Sequence, residues 1–289
     1  MILGTVELGL DYGINNSEGK PSKMQAFELL DTAWNGGIRE LDTAAAYGDS
    51  EYIIGQYQKE TGHMFQIDTK LPVGVAEEEY LSSFELSCEK LGIPKINLLY
   101  LHSFEQCKND KLLSFLLSLK ENRKIKHVGI SIYEPDEMKY ILKKLPFVDT
   151  IQFPFNLLDN ARWKRDGLLE LAVSSKKRLY VRSIFLQGLF FKMPNDLFVQ
   201  SLAAEKYISK IRDLANTANM TIAELAYKFV AENDMITEII IGCQKSSEVK
   251  SNLKLMNSNA LLPKEVIECL EALSKDVSLN IIDPRRWKR

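Results

Sequence analysis

Residues 23–42 read KMQAFELLDTAWNGGIRELD. Over Lys23–Asn35 the apolar side chains fall at i, i+3, i+4 and i+7, the period of an amphipathic helix. Gly36-Gly37 then supplies a stop, because glycine accepts the left-handed backbone in which helices commonly end. A short apolar run, Ile38–Asp42, follows at once and reads as a strand. The same grammar recurs over residues 77–102, EEEYLSSFELSCEKLGIPKINLLYLH: a helical stretch Glu77–Leu91, a stop at Gly92, and the run Ile96–His102.

Working outward, strand-like runs are expected at Ile2–Leu8, Ile38–Asp42, Phe65–Lys70, Ile96–His102, His127–Ser131, Thr150–Phe153, Arg178–Ser183 and Glu238–Gly242. Their first residues are 36, 27, 31, 31, 23, 28 and 60 positions apart, with helix-like stretches between them. The last interval leaves room for an extended loop around Phe191–Leu202 and two helices, Ala203–Ala215 and Ile222–Glu232. Unbroken alternation of strand and helix is the pattern of a parallel sheet. Eight such units without a shift in composition favour one closed (β/α)8 TIM barrel over two doubly wound halves. The length of 289 residues, near twice a soft average of about 150 per domain, is thereby read as a single domain over residues 1–289.

Composition removes other classes. With 45% apolar and 26% charged residues the chain is neither disordered nor fibrous. A net charge of −2 offers no bulk attraction to nucleic acid or an anionic membrane. No apolar run has the length of a membrane span, and the N-terminus lacks a signal-peptide pattern. The four cysteines, Cys88, Cys107, Cys243 and Cys269, are scattered, as suits a reducing compartment; a cytoplasmic protein is expected. Three histidines are too few for a multi-histidine metal centre, and no metal site is expected. No Rossmann or Walker glycine fingerprint occurs either.

Barrel chemistry sits at the C-terminal ends of the strands. There the sequence places Asp42 and Tyr47 (LDTAAAYG), Lys70 (DTKLP), His102 (LLYLHS), Ser131, Gln152, Arg182-Ser183 and Gly242. Each has an ordinary alternative. Asp42 is also suited to capping a helix, Tyr47 to the rim, Lys70 to a solvated strand end and His102 to the core. Together they read differently, since an unpaired charge in a barrel mouth is costly and Asp42 is the natural partner of Lys70. A buried lysine beside a phenol is expected to lower the tyrosine pKa and make it a general acid. A neutral histidine beside it would polarise a carbonyl oxygen.

The chain resembles the aldo-keto reductases. LDTAAAYGDSEYIIG is the most specific piece, and TKLP, NLLYLHS, HVGIS, IQFPFN and SIFLQGL follow in that family's order. The resemblance implies that Asp42, Tyr47, Lys70 and His102 form a catalytic tetrad with Tyr47 as acid, reducing an aldehyde or ketone with NADPH or NADH. It further implies that Thr5, Asp42, Ser131, Gln152, Arg182, Ser183, Gln187, Gly188, Gly242, Glu248 and Asn252 line the cofactor. Ile132 stands after Ser131 where the family often has asparagine, and Arg182 replaces a tyrosine that stacks on the nicotinamide. An ion pair across the barrel is the alternative role of Arg182. Glu248 stands at a basic or glutamine position, which would repel a ribose 2′-phosphate and favour acceptance of NADH; Lys245 and Lys250 are the remaining phosphate contacts.

Tyr12, Phe104, Phe155, Phe185 and Phe190 are the expected substrate lining. The basic tail 283–289, ending PRRWKR, is either a frayed terminus or a positive flap suited to a sugar-like or anionic substrate. His63 and His127 fall toward the opposite face and carry no chemistry. The rival functions are a nicotinamide-binding regulatory subunit and a metal-dependent barrel hydrolase; a monomer with a small-molecule carbonyl substrate is expected.

Overall fold

The computed structural model describes residues 1–287. Eight parallel strands, β1 (Ile2–Gly4), β2 (Glu40–Asp42), β3 (Gln66–Leu71), β4 (Ile96–Leu101), β5 (Ile125–Ser131), β6 (Thr150–Pro154), β7 (Arg178–Arg182) and β8 (Glu238–Gly242), pair in chain order. β1 also pairs with β8 (Gly4 beside Gly242), which closes the barrel. Helices run between the strands and pack their apolar faces on the outside of the sheet.

Local signals explain the punctuation. Ser22 and Gln25 form a reciprocal capping box on the helix Lys23–Asn35, and Thr221 and Glu224 do the same for Ile222–Ala231. Gly62 and Gly92 end their helices in the left-handed region, with φ of 75° and 65°. Inside the barrel, Ile2, Leu98, Tyr100, Tyr180 and Ile240 form a packed layer. Gly129 is required there: a Cβ would lie 2.5 Å from the Tyr100 ring. This plug makes the barrel a filled core with one open face, formed by the residues at the C-terminal ends of the strands.

Three segments depart from the sequence reading. The first strand stops at Gly4, and Val6–Gly9 forms a helical turn in which the Leu10 amide donates to the Val6 carbonyl. The expected loop Phe191–Leu202 contains a short helix, Leu197–Ser201, capped by Asp196. The tail is not frayed as far as it is described. Asp283 caps a turn at Pro284–Arg286, and the buried Trp287 donates its indole N–H to the carbonyls of Asn280 and Ile281. Lys288 and Arg289 of the expected basic tail lie outside the described residues.

Candidate active site

One cavity of about 450 Å³ opens at the C-terminal ends of the strands. It is lined by Thr5, Asp42, Tyr47, Lys70, His102, Ser131, Gln152, Arg182, Ser183, Gln187, Gly188, Gly242, Glu248 and Asn252, so the expected tetrad and all eleven residues expected to line the cofactor lie on it. Parallel register explains the convergence, because equivalent positions at consecutive strand ends face one mouth.

Lys70 is fully buried at the end of β3 and donates to Asp42 Oδ1 at 2.6 Å and to the Thr43 carbonyl at 2.9 Å. Asp42 does not cap a helix: its second oxygen accepts from Gln152 Nε2 at 2.7 Å. Both carboxylate oxygens are therefore engaged across the barrel, and Gln152, expected at a carboxamide, also holds Asp42. Burial pushes the Lys70 ammonium down from its usual range while Asp42 pulls it back.

Tyr47 lies beyond β2 with the Lys70 ammonium 5.1 Å from its ring centroid and the His102 ring edge-on at 5.9 Å. The expectation that lysine lowers the tyrosine pKa is overturned. Burial, and next the Asp42 carboxylate, push the phenol up. Asp42 and the Thr43 carbonyl hold the Lys70 ammonium beside the ring, and the Arg182 guanidinium pulls the phenol back without overcoming its burial. His102 moves the other way, down to about 4, through burial and then the charges of Lys70 and Arg182. At neutral pH the mouth thus holds a protonated phenol beside a neutral imidazole.

The remaining residues form an elongated floor. Thr5 donates its hydroxyl to the Asp42 carbonyl and accepts from Ser50, tying the end of β1 to that of β2. After β7, Ser183, Leu186, Gln187 and Gly188 all have positive φ (60°, 48°, 53° and 91°). A Cβ on Gly188 would meet Asn15 Nδ2 at 2.3 Å. On the far side, Glu248 Oε2 accepts from the Gln244 amide at 2.8 Å, and the buried Asn252 contacts Cys243 Sγ at 3.2 Å. Lys245 is paired with Glu18, and neither it nor Lys250 lines the cavity. A cavity lined by a left-handed turn after β7 and by the buried Asn252 fits a dinucleotide without a glycine fingerprint.

Arg182 does not make the ion pair across the barrel. Its guanidinium carbon lies 4.2 Å from the Tyr133 ring centroid, and Nη2 donates to the Ile132 carbonyl at 3.2 Å. Among the expected lining aromatics, Tyr12 and Phe185 reach the cavity. Phe155 and Phe190 are core, and Phe104 packs edge-on against Tyr140 at 5.3 Å instead. His63 stacks on Trp34 and hydrogen-bonds Tyr57, and His127 lies near Asp149, both away from the cavity.

Glu7 and Tyr133 are among the lining residues that escaped the sequence reading. Glu7 is buried against Gly242 with Oε2 unpartnered, and burial, followed by the charge of Glu248, raises its carboxyl to about 7. Its signal is its place just after β1, masked by the apolar run Ile2–Leu8 that continues the strand pattern. Tyr133, two residues past β5, carried no signal of its own.

The family model described as the aldo/keto reductase family matches residues 1–275. The chain belongs to the aldo/keto reductase family and is an enzyme of the aldo-keto reductase type. It is 21% identical to L-glyceraldehyde 3-phosphate reductase of Escherichia coli over 96% of this chain and 91% of that protein. It is 23% identical to D-arabinose 1-dehydrogenase of Saccharomyces cerevisiae over 90% of this chain and 84% of that one. Among solved structures it resembles the holo form of an aldo-keto reductase from Bacillus halodurans, with TM-score 0.78, 19% identity, and coverage of 99% and 95% of the two chains. No helix among the described residues is long and apolar enough to cross a membrane.

Proposed function

We propose that this enzyme reduces a small, sugar-like aldehyde or ketone, with Tyr47 delivering the proton to the carbonyl oxygen. A nicotinamide cofactor, when bound, supplies the hydride that adds to the carbonyl carbon. The residues of this chain do the rest. His102, neutral at working pH, donates a hydrogen bond to the same oxygen and orients the carbonyl. Tyr47 keeps its proton until negative charge develops on that oxygen, because burial disfavours a phenolate in the resting site. As the proton leaves, the Lys70 ammonium beneath the ring stabilises the phenolate, and Asp42 and Gln152 keep Lys70 in place.

The observation that carries this reading is the buried Lys70–Asp42–Gln152 chain directly under Tyr47 and His102. Tyr47→Phe should lower kcat by at least about a hundredfold, the lower end of what general acid–base catalysis contributes. Cofactor affinity, read by quenching of protein fluorescence, should stay within a few-fold. Unimpaired turnover by Tyr47→Phe overturns the mechanism.

Ser131, Ser183, Gln187, Gly188, Gly242, Glu248 and Asn252 are assigned to holding the cofactor, with Gln152 beside them. The Glu248 carboxylate, joined by Glu7 once that group ionises near pH 7 and above, lies beside Gly242 in the cavity. That charge supports NADH binding at least as well as NADPH, since carboxylates accept from a 2′-hydroxyl and repel a 2′-phosphate. A fluorescence titration should find the two Kd values comparable or NADH tighter; NADPH binding more than tenfold tighter contradicts the assignment.

A further inference from the structure

One cation of the mouth enters the proposed reaction only through its charge on His102 and Tyr47. Arg182 ends β7 and faces the cavity shared by Tyr47 and His102. Among the described residues it forms no ion pair, whereas neighbouring cations are neutralised: Lys70 by Asp42, Arg162 by Asp159 and Glu134, and Arg285 by Asp283. A guanidinium has five N–H donors, and among the described residues only the 3.2 Å bond to the Ile132 carbonyl is formed. Stacking on Tyr133 occupies a face of the group and leaves most of its hydrogen-bonding edge available, the arrangement suited to a carboxylate or phosphate.

The stack is braced from outside the barrel. Arg285 rests on the same Tyr133 ring, 3.5 Å from its centroid, and is itself held by Asp283 through bonds of 2.8 and 2.7 Å. The acids of the cavity lie elsewhere. Glu7 and Glu248 flank the end of β8, and Asp42 is engaged by Lys70 and Gln152. On the β5–β7 side of the mouth Glu134 and Asp159 are engaged by Arg162, so Arg182 is the charge presented to the cavity, next to the reacting pair.

We propose that Arg182, held on Tyr133 and braced by Arg285, receives a carboxylate or phosphate group on the carbonyl substrate. This rests on the carbonyl-reductase reading and narrows its substrate class to anionic carbonyl compounds. Arg285 is a positioning residue that acts through Tyr133.

The test uses matched pairs with cofactor saturating: 4-oxobutanoate against its methyl ester, and glyceraldehyde 3-phosphate against glyceraldehyde. The charged member of at least one pair should have the higher kcat/KM by tenfold or more, and the pair that responds tells carboxylate from phosphate. Arg182→Gln should bring that ratio to within threefold of unity, chiefly through KM for the charged member, with Arg182→Lys in between. Arg285→Ala should raise KM for the charged member severalfold at unchanged kcat. Calorimetric binding of succinate and of glycerol 3-phosphate to the cofactor-loaded enzyme, weakened at least tenfold by Arg182→Gln, tests the subsite without turnover. If no carbonyl is reduced but this binding holds, the reductase reading fails and the anion subsite stands. Equal kcat/KM within both pairs, equal losses for charged and neutral members in Arg182→Gln, or cofactor Kd weakened more than the charged substrate's KM overturns the proposal.

Discussion

Glu7 sets a cost at the scale of a single residue. Its carboxyl is buried, one oxygen lacks a partner, and its pKa rises from 4.5 to about 7. In the unfolded chain it ionises at its ordinary value, so between these two pH values the folded state binds more protons. Stability is therefore present at pH 4.5 and lost as pH rises toward 7, levelling off above it. At about 1.4 kcal/mol per pKa unit the loss reaches up to about 3 kcal/mol. Glu7→Gln keeps the shape and removes the titration. Urea unfolding should find the variant more stable than the parent at pH 8 by up to about 3 kcal/mol, with little difference at pH 4.5. A difference independent of pH would show that Glu7 ionises in the folded molecule at its ordinary value. The buried position that creates this cost is also why Asp42, Lys70 and His102 were legible as a group: polar residues closing apolar strands have few other uses. The direction of the Tyr47 shift was not legible, because it depends first on how deeply the phenol is buried and then on how near it lies to Asp42.

Elements placed the tetrad through close contacts of backbone with backbone. The turn Val6–Gly9 after β1 lies against the turn that carries Tyr47: a Cβ on Gly9 would come 1.7 Å from the Tyr47 carbonyl oxygen. Gly48, at φ +52°, closes the contact from the other side, since its own Cβ would meet the Gly9 carbonyl at 2.4 Å. Gly9→Ala should therefore move the Tyr47 turn, destabilise the fold by roughly 1–3 kcal/mol as overpacking does, and lower kcat with it. Thermal melts and steady-state kinetics check both; a variant with parental kcat would mean that Tyr47 is positioned from elsewhere. Strand–helix alternation made most of the barrel readable, because each glycine stop and capping pair lies within a few residues of what it governs. β1 was the exception. Val6, Leu8 and Leu10 continue an apolar run, and only the long-range fit of Gly9 against Tyr47 turns that run into a helical turn. The aromatic lining was harder still: Phe155 and Phe190 differ from Phe185 in tertiary placement and not in local pattern.

For the whole molecule, the last described residue ties the terminus to the β7–β8 excursion. Trp287 is buried, stands edge-on to Phe198 at a centroid distance of 5.3 Å, and gives its N–H to the carbonyls of Asn280 and Ile281. Four residues upstream, Asp283 holds Arg285 and Arg286 and caps the intervening turn. The basic terminus thus works as a fastened strap up to Trp287, and net charge near zero hid it by averaging over the chain. Truncating a buried tryptophan leaves a cavity that costs roughly 3 kcal/mol or more. In a protein of this size each kcal/mol moves Tm by about 2 °C or more, so Trp287→Ala should melt roughly 6 °C lower. Trp287→Phe, which keeps most of the apolar volume and loses the N–H, should recover more than half of that shift, because packing against Phe198 outweighs a hydrogen bond worth about 1 kcal/mol. If Trp287→Ala melts with the parent, the strap contributes nothing to the fold, and the segment holding Arg285 against Tyr133 is fastened by Asp283 alone.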